Sequence, residues 1–138
     1  MDQRRGFSLI ELVVVLVIIG LLAAVAVSRL GRMVDSTNDA ALQRDLQTLR
    51  KAIETYSAEH GAYPTAANVT AQLTGYTDSA GNTSATKGDP FAYGPYLREV
   101  PPVPTGTARG SRGIAAAPGA GVGWVYSEAD GGIAAVGP

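Results

Sequence analysis

The amino-acid sequence predicts an α+β protein in which one long N-terminal helix packs against a small antiparallel β-sheet. Three observations lead to this fold class. An apolar run opens the chain, a narrow apolar stripe with helical spacing follows it, and two short β-type segments around a Gly-containing turn end it. A length of 138 residues leaves room for about one domain. We therefore expect one folded head behind a special N-terminal segment.

The composition argues against several classes of function. Eleven Lys and Arg residues against twelve Asp and Glu residues give a formal net charge of −1, which provides no broad cationic surface for nucleic acid. The chain has no cysteine and one histidine, His60, so disulfides, thiolate metal sites and cysteine nucleophiles are excluded. Without a tight group of carboxylates, little remains from which an active site could be built. We expect that the protein is not an enzyme.

Residues 7–28 form the predicted membrane-spanning and assembly helix. Between Phe7 and Val27 only Glu11 is charged, and a helix of this length covers roughly the 30 Å of a bilayer core. A carboxylate in mid-membrane costs about 2.5 to 3.5 kcal/mol and usually persists for a functional reason. Gly20 within the run permits close approach of neighbouring helices. Glu11 is therefore expected to have a partner.

Three interpretations compete for this segment: a cleaved secretory signal, a plain membrane anchor, and an anchor that also directs assembly. Arg4 and Arg5 supply a positive n-region, and residues 24–26 read Ala-Val-Ala, which would suit a signal peptidase. The apolar run is too long for an ordinary cleaved signal, and Glu11 is unexplained by either simpler interpretation. The residues around Glu11 favour the third.

The residues from Arg5 to Leu12 read Arg-Gly-Phe-Ser-Leu-Ile-Glu-Leu and lead into an apolar stretch, Val13 to Ile19. This pattern resembles the leader junction of the type IV pilin superfamily, which includes the pseudopilins of type II secretion. The resemblance implies that residues 1–6 are a leader peptide. It also implies that prepilin peptidase cuts between Gly6 and Phe7 and methylates the new amine of Phe7.

Cleavage at that junction would create a counter-charge for Glu11. A carboxylate four residues from a cationic N-terminus lies about one helical turn deeper, where it can pair with the amine of a neighbouring subunit. Because both charges must be desolvated, such a pair fixes axial register more than it adds stability. The resemblance further implies contacts with other pilin or pseudopilin subunits, with an inner-membrane assembly platform, and with lipid before assembly.

Orientation follows from the leader and not from charge, because Arg4 and Arg5 before the span are balanced by Arg29 and Arg32 after it. The resemblance implies a single-pass protein of the bacterial inner membrane, with a cytoplasmic N-terminus and a periplasmic head.

Residues 29–61 are predicted to form an amphipathic continuation of the same helix. Its apolar positions recur at spacings of four, three, four and three, which indicates one narrow buried face. Gly61 and Pro64 mark its end, and His60 would complement the negative end of the helix dipole. Tyr63 is expected to fold back onto the apolar face. That face comprises Leu42, Leu46, Leu49, Ile53 and Tyr56.

Residues 62–138 are predicted to form a loop-rich head. We expect a short helical segment over 66–73, a surface loop over 75–88, and a C-terminal hairpin of strands 123–127 and 133–136. An isolated hairpin is marginally stable, so it should lie across the helical stripe and bury Trp124 or Tyr126.

Three further segments are similar to the major pseudopilins of type II secretion: residues 49–65, Tyr93 to Leu97, and Val100 to Pro104. Residues 106–121 depart from that family, because they lack the close carboxylate cluster of its calcium loop. We expect no cofactor, with calcium as the alternative. Many type IVa pilins have a C-terminal loop closed by a disulfide, so the absence of cysteine from this chain favours the secretion branch. The calcium candidates are Asp89, Glu99, Glu128 and Asp130.

These features predict a structural subunit of a type II secretion pseudopilus. Two alternatives remain open. The chain could be a type IV pilus pilin that serves adhesion, motility or DNA uptake, or a membrane-anchored periplasmic binding module that never polymerises.

Overall fold

The computed structural model describes residues 7–137, apart from the side chains of residues 28 and 30–32. The chain divides into two compact units, Met1–Thr37 and Asn38–Pro138. Helix α1, Leu9–His60, contains residues of both units, and helix α2, Val69–Thr74, belongs to the second. No proline occurs within α1, so every internal amide can join the helical ladder.

Helix α1 ends where the sequence predicts. Gly61 has a φ of +72°, a left-handed conformation that glycine adopts without a Cβ penalty. Its amide donates to the carbonyl oxygen of Ser57 at 2.8 Å. Pro64 follows and is buried, and its ring prevents the helix from resuming.

Five short strands complete the second unit. Strands β1, Tyr76–Thr77, and β2, Thr83–Ser84, pair antiparallel. A second sheet has the order β3-β4-β5, with β4 and β5 forming the predicted antiparallel hairpin. The α+β fold class is thus confirmed. The three strands of this sheet are β3, Gly113–Ala115, β4, Val122–Tyr126, and β5, Ile133–Ala135.

Two expectations about the strands are wrong. The larger sheet is mixed and not purely antiparallel, because β3 pairs parallel with β4. Residues 75–88 are not only a surface loop, since they contain the β1–β2 hairpin. Its turn is closed by the Asp78 carboxylate, which accepts hydrogen bonds from the amides of Ala80 and Asn82, both at 2.9 Å. Such an Asx turn stabilises strands too short to show a periodic pattern.

The core of the second unit is built on the apolar stripe of α1, and the stripe is confirmed at every position. Trp124 and Tyr126 from β4 pack into the same cluster with less than 2% exposure, as predicted for the hairpin. Their polar atoms are also satisfied: the Trp124 indole donates to the carbonyl of Pro101 at 2.9 Å, and the Tyr126 hydroxyl donates to that of Pro64 at 2.9 Å. The buried apolar residues of the cluster are Leu42, Leu46, Leu49, Ala52, Ile53, Tyr56, Val69, Leu73, Leu97, Val100, Val103, Trp124, Tyr126 and Ile133.

Tyr63 does not join the core, which corrects the prediction made for it. Its side chain is 38% exposed, and its ring lies against the turn between β4 and β5. A Cβ at Gly131, whose φ is +68°, would stand 2.7 Å from Tyr63 Cδ1. Pro64 is buried instead, and its carbonyl oxygen accepts a hydrogen bond from the buried Tyr126 hydroxyl.

Gly123, the one glycine of β4, is a point of close backbone packing. A Cβ at this position would meet the carbonyl oxygen of Ser111 and would stand 2.8 Å from Cγ2 of Val103. Gly123→Ala should therefore lower the free energy of unfolding by about 1–3 kcal/mol, as overpacking does in other cores. Thermal unfolding of the full chain in detergent micelles, followed by circular dichroism, measures the effect.

Gly119→Ala is the matched control, because its Cβ would find only an ordinary contact, 3.7 Å from Val122 Cγ2. This variant should unfold at the wild-type temperature. Equal unfolding temperatures for both variants would contradict the packing assigned to Gly123.

The buried tyrosines predict a loss of stability at alkaline pH. Burial, with a smaller effect of the Glu128 carboxylate, raises the pKa of Tyr126 to about 12, whereas an unfolded tyrosine ionises near pH ~10. The unfolded chain therefore loses this proton first. Stability is complete below pH ~10 and falls as the pH rises towards the folded value. Urea unfolding on either side of pH ~10 measures the loss.

Tyr126→Phe removes this titration and should flatten the alkaline decline. At neutral pH the same variant should cost about 1 kcal/mol, because the Pro64 carbonyl loses its donor. Burial also raises the pKa values of Tyr96 and Tyr56, so part of the decline should remain. An undiminished decline in Tyr126→Phe would refute the role given to Tyr126.

Candidate assembly site

The first turn of α1 carries the residues predicted to direct assembly. The carbonyl oxygen of Ser8 accepts hydrogen bonds from the amides of Glu11 at 3.0 Å and Leu12 at 3.2 Å. Glu11 thus lies in the first turn, where a carboxylate complements the positive end of the helix dipole. Phe7 is 78% exposed. Gly6 and the rest of the predicted leader, residues 1–6, lie outside the described residues.

The apolar run forms a helical span from Leu9 to Val27. At 1.5 Å per residue its 19 residues extend about 28 Å, which is close to the thickness of a bilayer core. By length and composition it is the one described helix segment able to cross a membrane, and none of its residues is buried. A contiguous apolar surface of this size marks contact with lipid or with other chains.

Glu11 is the only ionisable side chain between Phe7 and Val27. It is exposed on the helix, in a shallow groove shared with Ser8 and the apolar side chains of Ile10, Val14 and Val15. The single ion pair among the described residues joins Arg112 to Glu99. Within residues 7–137, therefore, no cation pairs with Glu11, although a carboxylate in an apolar environment is costly without one.

Gly20 has no packing role within the described chain. A Cβ added there would meet no atom within 4 Å, while glycine in a helix is about 1 kcal/mol less favourable than alanine. The fold of the single chain therefore does not require this glycine. The space beside it is available to a neighbouring helix.

The structure does not gather the four calcium candidates into one site. Glu99 pairs with Arg112 at 2.8 Å, and Glu128 accepts a hydrogen bond from the amide of Ala66 at 2.8 Å. A hydrogen bond from the Ser127 side chain, with another from the Gly132 amide, lowers the pKa of Asp130. Asp89 is exposed. Among the described residues no group of three or more His, Asp or Glu side chains could hold a metal ion.

His60 forms a structural clamp that the sequence did not reveal. Its ring stacks on Tyr56 with centroids 4.0 Å apart. Nδ1 lies 3.1 Å from the carbonyl oxygen of Tyr56, and Nε2 lies 3.0 Å from that of Asp78 and 3.1 Å from Oγ1 of Thr77. The helix end is thereby tied to the β1–β2 hairpin. The spacing of Tyr56 and His60, one helical turn apart, is the only signal for this clamp in the sequence.

Arg112 and Gln72 also escaped the sequence analysis. The Gln72 side chain accepts from the amide of Thr65 at 2.9 Å and donates to the carbonyl of Gly81 at 2.9 Å. Both side chains act by joining separate segments of the head through backbone groups, which composition and spacing do not predict.

Comparisons with known proteins agree with this arrangement. Residues 1–27 match the family model for the prokaryotic N-terminal methylation motif. The type II secretion system core protein G of Klebsiella pneumoniae is 31% identical over 111 residues, which cover 78% of this chain and 73% of that protein. The protein of the same name from Aeromonas hydrophila is 29% identical over 110 residues, 77% of this chain and 72% of its own.

A pilus protein is also similar. The type IV narrow pilus major component PilA5 of Thermus thermophilus is 35% identical over 77 residues, which cover 56% of this chain and 66% of that protein. No solved structure matches the chain.

The similarity to the core protein G sequences extends well beyond the apolar span. Similarity within that span alone would be weak support for a family relationship. It covers more than two thirds of both this chain and its Klebsiella relative. The methylation motif matches at the N-terminus, where the first turn of α1 carries Glu11. The chain belongs to the family of the type II secretion system core protein G, the major pseudopilins.

Proposed function

We propose that this chain is a filament subunit of a type II secretion pseudopilus and has no enzymatic activity. Residues 9–27 anchor it in the bacterial inner membrane before assembly, with the N-terminus in the cytoplasm and the head in the periplasm. One observation carries the proposal. A helical span that no described residue covers lies within the matched methylation motif, residues 1–27, and holds a single carboxylate in its first turn.

Assembly gives the exposed span a second environment besides lipid. Side chains on all sides of the helix are exposed from Leu9 to Val27, so the span can contact several neighbours at once. Packing against the spans of other subunits covers the same apolar surface in a filament, and Gly20 allows one of those helices to approach closely.

Glu11 sets the register of that packing. Cleavage between Gly6 and Phe7 by prepilin peptidase frees a cationic amine one turn before the carboxylate. In a bundle, the amine of one subunit pairs with Glu11 of the next. Only one axial offset brings the two charges together, and other offsets leave both buried without a partner.

Processing is the first prediction of this proposal. In host membranes that contain prepilin peptidase, intact mass and N-terminal sequencing should show a chain that starts at methylated Phe7. Without the peptidase the chain should retain Met1. Ala26→Leu is the control, because it disrupts the Ala-Val-Ala sequence of a secretory signal and leaves the Gly6–Phe7 junction intact. A mature chain that begins at Val27 would refute the filament proposal.

Glu11→Gln should abolish filaments without preventing membrane insertion or processing. The substitution keeps the shape of the side chain and removes its charge, so the partner amine is left buried and unpaired. Removing one member of a buried ion pair costs about 3–5 kcal/mol, and this cost recurs at each subunit contact. Electron microscopy of sheared filaments and cross-linking in membranes measure the loss.

Moving the carboxylate distinguishes register from simple polarity. In the double variant with Glu11→Gln and Val15→Glu the charge lies one turn deeper on the same helix. It should not restore filaments of normal geometry, because the amine cannot reach it at the same axial offset. Normal filaments from Glu11→Gln alone would overturn the role assigned to Glu11, whereas an absence of filaments from the wild-type chain would favour an anchored binding module.

A type IV pilus pilin is the second candidate, and the similarity to PilA5 of Thermus thermophilus favours it. The alignment to that protein is shorter than the alignment to the Klebsiella core protein G, 77 against 111 residues. Secreted protein and surface motility, compared in a strain that lacks this chain, separate the two functions.

A further inference from the structure

The segment that should carry a calcium loop in a major pseudopilin has the opposite charge in this chain. Residues 106–121 contain no Asp or Glu, and their only charged side chains are Arg109 and Arg112. Calcium requires six to eight oxygen ligands at about 2.3–2.6 Å, several of them carboxylates. A segment with two cationic side chains and no carboxylate does not provide such a ligand set.

Two of the calcium candidates, Glu128 and Asp130, are already engaged in direct contacts. Glu128 accepts from the amide of Ala66 at 2.8 Å, across 62 positions of sequence. Asp130 accepts from the amide of Gly132 at 3.1 Å. Each of these carboxylates therefore holds a backbone amide in place. The donor set in the described residues does not fit the calcium site that the family implies.

Arg112 bridges two oxygen atoms of the kind that bind a metal ion. Its Nη1 donates to the carbonyl oxygen of Val100 at 2.8 Å and contacts Oε2 of Glu99 at 2.8 Å. A carboxylate and a backbone carbonyl are the oxygen ligands that calcium takes in proteins. Here a nitrogen of the positively charged guanidinium bridges them.

The bridge lies at the base of a loop held by backbone pairing. The amide of Val103 donates to the carbonyl of Ser111 at 3.0 Å, and the amide of Gly110 donates to that of Val103 at 2.8 Å. Arg112 follows this pairing directly and leads into β3. Its side chain therefore extends the connection one step further, from Ser111 to Glu99 and Val100.

The carbonyl contact matters more than the ion pair. The side chains of Arg112 and Glu99 are 48% and 70% exposed, and solvent weakens a pair of this kind. Val100, by contrast, is buried, so its carbonyl has less access to water and gains more from a charged donor. Arg112 thus anchors the loop to the core and recruits Glu99 as its counter-charge.

We propose that the head of this chain folds without calcium, and that the Arg112 guanidinium is a built-in cation that holds Glu99 and the Val100 carbonyl together in place of a metal ion. The inference concerns the folding of the head and is independent of whether the chain polymerises.

Thermal unfolding of the full chain in detergent micelles tests the proposal. The unfolding temperature of the wild type should be the same with excess EGTA as with millimolar calcium chloride. Arg112→Gln should lower it by several degrees, and calcium should not restore it. Arg98→Gln is the matched control, because Arg98 is exposed and forms no hydrogen bond or ion pair with the described residues, and its loss should leave the unfolding temperature unchanged.

The EGTA comparison uses the wild type alone, so it decides the first half of the proposal even if Arg112→Gln does not fold. A drop in the wild-type unfolding temperature on adding EGTA would show a calcium-dependent head and overturn the proposal. Arg112→Gln that unfolds together with Arg98→Gln at the wild-type temperature would overturn the role of the guanidinium.

Discussion

The apolar stripe of α1 is the surface on which the core of the second unit depends. Its strands are two to five residues long, and strands this short in two- and three-stranded sheets have little independent stability. Strands β4 and β5 become stable by packing Trp124, Tyr126 and Ile133 into the cluster that contains the helix face between Leu42 and Tyr56. The same helix is thus the scaffold of the head between Leu42 and Tyr56, while its apolar surface in the first unit is uncovered. These two parts of the helix require different partners.

The extent to which the sequence predicts this fold follows from the length of each periodic pattern. The stripe of α1 spans four turns, and the hairpin of β4 and β5 surrounds a clear turn, so both were predicted correctly. Strands β1, β2 and β3 contain two or three residues each and have no periodicity to detect. Strand β3 also pairs parallel to β4 through contacts that its own composition does not encode. The prediction for Tyr63 is wrong because Pro64, and not Tyr63, lies in the interior. The hydrogen bond from the Tyr126 hydroxyl to the Pro64 carbonyl accompanies this arrangement, and the sequence does not predict it.

The sequence likewise predicts only part of the candidate assembly site. Glu11 could be identified from the sequence because a lone carboxylate in an apolar run has few explanations. The ion partner assigned to it belongs to another copy of the chain, which no pattern within one subunit describes. His60, Gln72 and Arg112 were missed for a related reason. Each contacts backbone carbonyls or amides of another segment, and such groups occur along the whole chain.

The long-range bonds of the C-terminal hairpin also determine when the head can fold. Tyr126 and Glu128 bond to Pro64 and Ala66, each across 62 positions, and Trp124 and Ile133 complete the cluster around α1. Until residues 122–135 have been synthesised, the apolar stripe lacks its largest partners. The head must therefore close after the hairpin of β4 and β5 has been made, and a subunit cut short before this hairpin would present an open apolar helix face to chaperones and proteases.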